Sequence, residues 1–169
     1  MSMSDAFIQE IEQEGKTTRK LLERVPTDKL SWKPHAKSMS LGELAQHVAT
    51  SPGAIATWAL GDSFDFGGAD KPTPSKSTAE ILASHDQSVT KAKDVAKQLG
   101  DSGLGQSWEA KMNGATMFKM PKAALYRSIV INHWIHHRGQ LSVYLRLLDV
   151  PVPSIYGPSA DENPFAAQA

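Results

Sequence analysis

Three of the six histidines of this chain fall in one short stretch, Asn132-His133-Trp134-Ile135-His136-His137-Arg138-Gly139-Gln140. The flanking apolar residues recur at helical spacing. His133 and His137, four apart, therefore put their imidazoles on one helix face about a turn from each other. Two ring nitrogens so placed can grip one metal ion. A third is available at His47, in Leu44-Ala45-Gln46-His47-Val48-Ala49, which carries an apolar stripe of its own. Burying three imidazoles without partners is costly, because each has two polar nitrogens to satisfy. A shared ion removes much of that cost. The chain has no cysteine, so it has no thiolate ligand, disulfide or cysteine nucleophile, and any ion is held by nitrogen and oxygen.

The competing reading is a set of hydrogen-bonded core histidines, the commoner fate of a lone histidine on an apolar face. His136 lies about 100° round the helix from His137, which makes it a surface or interface residue or a partner of a ligand. His35, beside Pro34, is expected in solvent. His85 falls near the apolar stripe of its segment and reads as a core histidine and a reserve ligand. Glu43, one turn before His47, either accepts from the ring nitrogen that a metal leaves free or faces water. Arg138 makes an ion pair that fixes its helix or grips an anion, and Gln140 is too far round the helix to be assigned as a ligand. Trp58, Trp134, Met117 and Phe118 either line a cavity or pack in the core. The sequence holds no H-E-x-x-H, no pair of Glu-x-x-His, no EF-hand loop and no G-x-S-x-G elbow. The remaining carboxylates read as solvated charges on helix faces.

Four helices are expected to position these residues. The first runs from about Asp5 to Arg24, with Phe7, Ile11, Leu21, Leu22 and Val25 on its stripe and Pro26 as its stop. Thr27 to Met39 then forms an ordered connection around Leu30, Trp32 and Pro34. Ser40-Leu41-Gly42-Glu43 is a capping box that opens the second helix. Leu41, Leu44, Ala45, Val48 and Ala49 form its buried face, and Pro52 is expected to kink or end it. Gly61 to Ser75 reads as a loop. Ser77-Thr78-Ala79-Glu80 is a second capping box, followed by Ile81, Leu82, Val89, Val95 and Leu99, and Gly100 is a stop. Gly100 to Met120 is not helical in pattern, and Asn113-Gly114 marks either a short hairpin or a loop. Pro121 suits the first turn of the last helix, whose stripe is Leu125, Ile129, His133, His137, Leu141, Tyr144, Leu145 and Leu148. From about residue 150 the tail is extended along the surface or disordered at its end.

These elements make the fold all-α, a four-helix bundle with a long irregular connection before the last helix, in one domain over residues 1–169. Hydrophobic residues are 40% of the chain and charged residues 21%, and 18 basic side chains balance 18 acidic ones. That composition suits a soluble globular protein. Without a basic stripe interleaved with aromatics, nucleic acid is not an expected partner. No apolar run reaches the ~20 residues that span a bilayer. Met1-Ser2-Met3-Ser4-Asp5 has neither the basic nor the apolar region of a signal peptide, so a cytoplasmic protein with no membrane partner is expected.

The chain also resembles the DinB/YfiT-like superfamily of bacterial metal-binding four-helix bundles over most of its length. Leu30-Ser31-Trp32-Lys33-Pro34 followed by Ser40-Leu41-Gly42-Glu43-Leu44-Ala45-Gln46-His47 looks like the family's W-x-P … S-x-x-E-x-x-x-H entry to its second helix. His133 to Gln140 looks like its H-x-x-x-H-R-G-Q signature, and Val150-Pro151-Val152-Pro153-Ser154-Ile155-Tyr156-Gly157 looks like its tail. The resemblance implies His47, His133 and His137 as ligands of one divalent metal ion, commonly nickel or zinc, with positions left for water or substrate. Iron, cobalt and copper are also compatible with imidazole ligands. It implies a homodimer through helix packing. Some relatives use a low-molecular-weight thiol, among them a mycothiol-dependent maleylpyruvate isomerase and transferases that attach bacillithiol to electrophiles. The leading expectation is thus a metal-dependent enzyme acting on a small molecule, a thiol-dependent S-transferase foremost. The alternatives are a hydrolase that uses metal-activated water and a non-catalytic, stress-associated metal-binding bundle.

Overall fold

The computed structural model describes residues 1–68 and 74–166. Residues 69–73 of the expected loop and the last residues of the tail lie outside this description. Helix α1 spans Met3–Leu22, α2 Leu41–Trp58 and α3 Thr78–Leu104. Helix α4 (residues 122–147) is continuous but changes character: an α turn Lys122–Leu125, a π segment Tyr126–Asn132, and an α-helix His133–Leu147. Strands β1 (Ser63–Asp65), β2 (Ser107–Met112) and β3 (Ala115–Pro121) form a small sheet in that order, β1 parallel and β3 antiparallel to β2. No helix among the described residues is long and apolar enough to cross a membrane.

Helix ends follow from side chains that satisfy free backbone groups. Ser2 and Asp5 form a capping box on α1, two residues before the expected start. The Asp101 carboxylate also accepts from the backbone nitrogens of Met3 and Ser4. The Ser40–Glu43 box opens α2 as expected. At α3 only half of the expected box forms. Ser77 caps the Glu80 nitrogen, but the Glu80 carboxylate accepts from Lys76. Gly100, at φ +56°, breaks α3 at the expected stop before a last turn at residues 101–104.

Pro52 neither ends α2 nor stands alone in it. Ser88 of α3 inserts its hydroxyl beside the proline, accepting from Gly53 N at 2.8 Å and donating to Thr50 O at 3.0 Å. Gly53 is needed for that approach, because a Cβ there would sit 2.7 Å from Ser88 O. A neighbouring helix thus bonds the backbone on both sides of the proline.

Contacts fix the directions of the helices. Ser4 bonds to Ala96, and Arg19 pairs with Asp86, so α1 and α3 are antiparallel. Glu10 meets Arg127 and Glu14 meets Arg138, so α1 and α4 are parallel. Tyr144 donates to Met39 O while His47 meets His133, so α2 and α4 are antiparallel. The order is up, down, down, up, and the long connection between parallel α2 and α3 carries β1. The expected stripe of α1 and the expected buried face of α2 are both in the core. The hairpin turns at Asn113 (φ +50°) and Gly114 (φ +82°), the two left-handed residues of a type I′ turn. The Asp65 carboxylate accepts from the backbone nitrogens of Gly67, Asn113 and Gly114, which ties β1 to that turn.

In α4 the buried line runs Leu125, Val130, Trp134, Arg138, Leu141, Leu145. Its first step is five residues, the repeat of the π segment, and the steps after it are α-helical. The expected stripe through Ile129, His133 and His137 assumed an unbroken α-helix. The wide turn puts Trp134 and Arg138 in the core instead, and moves the histidines to its rim. The tail packs in order as far as it is described: Val152 is buried, and Asp161 accepts from Val152 N and pairs with Arg146.

Candidate metal centre

His47, from the middle of α2, meets His133 and His137 from the α part of α4. One potential ligand nitrogen from each lies within 4.8 Å of the other two. His47 Nε2 and His133 Nε2 are 2.9 Å apart. Ring centroids are 5.1 Å apart for His47–His133 and 4.4 Å for both His47–His137 and His133–His137. The rings meet edge to face, so their nitrogens converge on a point instead of stacking. All three are half-buried. His133 and His137 each precede a buried residue, Trp134 and Arg138, by about 100° of helix rotation. That offset turns both toward α2.

The donor set fits a metal ion. With metal–nitrogen bonds of ~2.0–2.1 Å, nitrogens at 90° are about 2.9 Å apart and tetrahedral ones about 3.4 Å. Burial lowers the pKa of His47, and the charge of His137 lowers it further. His133 is pushed down to about 4, chiefly by burial and then by its histidine neighbours. Burial also lowers His137, against an opposing hydrogen bond from Gln140. At neutral pH the rings therefore carry the lone pairs that coordination needs.

Gln140 is the residue that sequence reasoning left without a role. Its Oε1 lies 2.7 Å from His137 Nδ1. An amide oxygen can only accept, so Nδ1 carries the proton and Nε2 is left bare. The signal was present as an i, i+3 spacing on one helix.

The other expected residues divide cleanly. Glu43 does not serve His47: its carboxylate accepts from Ser40 N at 2.6 Å and pairs with Lys33 at 3.6 Å. His136 is exposed, beside His137 at 5.0 Å between centroids. His35 is exposed, and His85 is buried in the core with Nε2 3.0 Å from Gly15 O. Arg138 takes the ion-pair role. It is 1% exposed, 2.5 Å from the Glu14 carboxylate and 3.1 Å from Thr18 Oγ1. Its guanidinium lies over the Tyr156 ring, whose hydroxyl donates to Glu14. Glu14 is therefore a buried carboxylate, unlike the solvated charge expected. Trp134 is core, and Met117 and Phe118 are exposed on β3. Trp58 does line a cavity of about 690 Å³, with Ala54, Phe64, Asp65 and Asn113. Ala54 and Trp58 continue the line of His47 along α2, beginning about 10 Å from it.

Comparison with known proteins gives a consistent picture. The profile of the DinB family matches residues 1–164. The uncharacterized protein YrdA of Bacillus subtilis (strain 168) is 28% identical over 158 residues, 94% of this chain and 90% of that protein. YjoA of the same organism is 29% identical over 147 residues, 86% of this chain and 91% of its own length. Its crystal structure, a DinB-like protein, superposes with a TM-score of 0.66 at 23% identity, covering 86% of this chain and 95% of that one. A DinB-like protein from Bacillus cereus ATCC 10987 superposes with a TM-score of 0.71 at 23% identity, over 90% of this chain and 97% of that one.

Proposed function

We propose, for a chain that belongs to the DinB family, that His47, His133 and His137 hold one divalent metal ion and that the loaded protein is an enzyme. A thiol-dependent S-transferase acting on a small electrophile is the class we favour. The observation that carries the reading is the convergence of three imidazole nitrogens with no carboxylate in the set. Three neutral ligands leave a divalent ion its full charge, and they are one short of a closed tetrahedral site. Such an ion supplies Lewis-acid chemistry, lowering the pKa of a coordinated thiol or water. Zinc and nickel are the expected ions, and imidazole donors suit iron, cobalt and copper as well.

The chain's own part is positioning. Burial keeps the three rings neutral. Gln140 aims His137. The buried pair of Arg138 with Glu14 sets the rotation of the helix that carries two of the ligands. A hydrolase needs a general base near the ion. Glu43, the carboxylate closest in sequence to a triad residue, is committed to Ser40 and Lys33, which favours the thiol reading. The assembly we propose is a homodimer through helix packing, with exposed Val143 and Leu147 of α4 as apolar contacts. Sedimentation of a Val143→Glu/Leu147→Glu variant as a monomer supports it.

The test is metal analysis of protein purified without an affinity tag, beside His137→Ala. Near one divalent ion per chain, lost in the variant, supports the site. Consumption of a low-molecular-weight thiol with an electrophile, only by metal-loaded protein, supports the class. Wild-type protein that takes up neither zinc nor nickel on titration overturns both.

A further inference from the structure

Four buried side-chain atoms find no partner among the described residues: Ser51 Oγ, His85 Nδ1, Trp134 Nε1 and Arg138 Nη2. Three of them belong to neighbouring side chains. His85 Nε2 lies 3.0 Å from Gly15 O, and Arg138 Nη1 lies 3.3 Å from Glu14 O. These two side chains, from α3 and α4, therefore reach adjacent carbonyls of α1. The rings of His85 and Trp134 are 5.9 Å apart between centroids. Trp134 and Arg138 are one turn apart on the same face of α4. His85, Trp134 and Arg138 are each no more than 1% exposed.

Chemistry assigns the role of each atom. A carbonyl oxygen only accepts, so His85 Nε2 carries the proton and Nδ1 is a bare acceptor. Burial lowers the pKa of His85, which keeps that nitrogen unprotonated. Trp134 Nε1–H and Arg138 Nη2–H can only donate. The three atoms are thus one acceptor and two donors, and neither donor makes a direct bond to the acceptor. The group that satisfies both sides must accept and donate, must be small, and must add no charge to the core.

We propose that a buried water molecule sits between α3 and α4, accepting from Trp134 Nε1–H, donating to His85 Nδ1, and taking Arg138 Nη2–H as its third partner. Buried waters of globular proteins make about three such bonds to otherwise unsatisfied groups. This site shares α4 with the candidate metal centre, since Trp134 follows His133 in the chain. It ties the helix that carries two of the three histidines to α3, which supplies none of them.

The experiment is a crystal structure of the wild-type protein at a resolution that shows ordered water. The expected result is a well-ordered water within about 3.2 Å of both His85 Nδ1 and Trp134 Nε1. In solution, the Trp134 indole proton should exchange magnetisation with a long-lived water, and Trp134→Phe should remove that signal from a folded protein. A direct bond from Trp134 Nε1 to His85 Nδ1, or a dry contact between them, overturns the proposal. Should Trp134→Phe fail to fold, the wild-type density decides alone.

Discussion

Gln140 offers the sharpest test of the proposed site, because it touches a proposed ligand without being one. Its Oε1 fixes the proton of His137 on Nδ1 at 2.7 Å and so leaves Nε2 as the nitrogen free to coordinate. Gln140→Leu removes the acceptor while keeping the bulk and helical preference of the side chain. Free imidazole then divides between two tautomers and turns about its bond to the chain, and both losses weaken coordination. Removing such a partner costs 10–100-fold in metal affinity, or about 1.4–2.7 kcal/mol. Gln140 is exposed, so water can replace part of the bond, and the lower end, about tenfold, is expected. Gln140→Glu is the informative counterpart. A carboxylate accepts from Nδ1–H more strongly and makes the ring a better donor, so affinity should hold or rise. The assay is a competition titration of zinc against a chromophoric chelator, with circular dichroism to show that helices are kept. If Gln140→Leu binds as tightly as wild type, or Gln140→Glu weakens binding as much as Gln140→Leu does, the orienting role is refuted.

Further outcomes follow from the same geometry. His47→Ala and His133→Ala should each abolish stoichiometric zinc in the same titration, whereas exposed His136→Ala should retain it. Burial lowers the pKa of His85 and of the triad, His133 to about 4. Below pH ~6.5 the unfolded chain therefore binds protons that the folded chain refuses, and metal-free protein loses stability as pH falls from ~6.5 toward 4. Urea midpoints at pH 7.5 and 5 check the sign, and higher stability at pH 5 contradicts it. Arg138→Met should cost about 3–5 kcal/mol because it strands the Glu14 charge in the core, and Glu14→Leu/Arg138→Met should recover most of that loss. An additive double variant in urea unfolding would show that the pair is not coupled. Ser88→Ala should cost about 1–3 kcal/mol for the two bonds it removes, from Gly53 N–H and to Thr50 C=O beside Pro52; an unchanged urea midpoint would show that these bonds contribute nothing to stability.

Much of the architecture could be read from local chemistry. Ser40 followed by Glu43 opens a helix whatever lies beyond it, and Asn113-Gly114 supplies two left-handed residues wherever a hairpin needs them. The features that escaped depend on partners distant in sequence. β1 exists because Ser63–Asp65 finds β2 to pair with and the hairpin turn offers backbone donors to Asp65. Glu14 could not be told from a solvated glutamate, because its partners, Arg138 and Tyr156, lie more than a hundred residues along the chain. Pro52 removes a ladder donor by its own nature, and the hydroxyl that bonds the backbone on either side of it, from Ser88, comes from another helix.

The triad itself was legible for a reason that differs from the one its spacing suggested. His133 and His137 converge with His47 not because they lie on the core stripe, but because they lie beside it. The π segment before them sets that offset. Had α4 stayed α-helical from Lys122, the line through Leu125 and Ile129 would have carried both histidines into the core. There no ligand could approach a bound ion without displacing apolar side chains. The five-residue step from Leu125 to Val130 instead gives the core positions to Trp134 and Arg138 and leaves the histidines half-exposed. The same step therefore separates two jobs that the signature stretch performs together. Arg138 anchors the helix through its buried pair with Glu14 and Trp134 through its burial in the core, and His133 and His137 face the rim. The open coordination position we propose requires that arrangement, because histidines rigidly held from behind can remain accessible from in front.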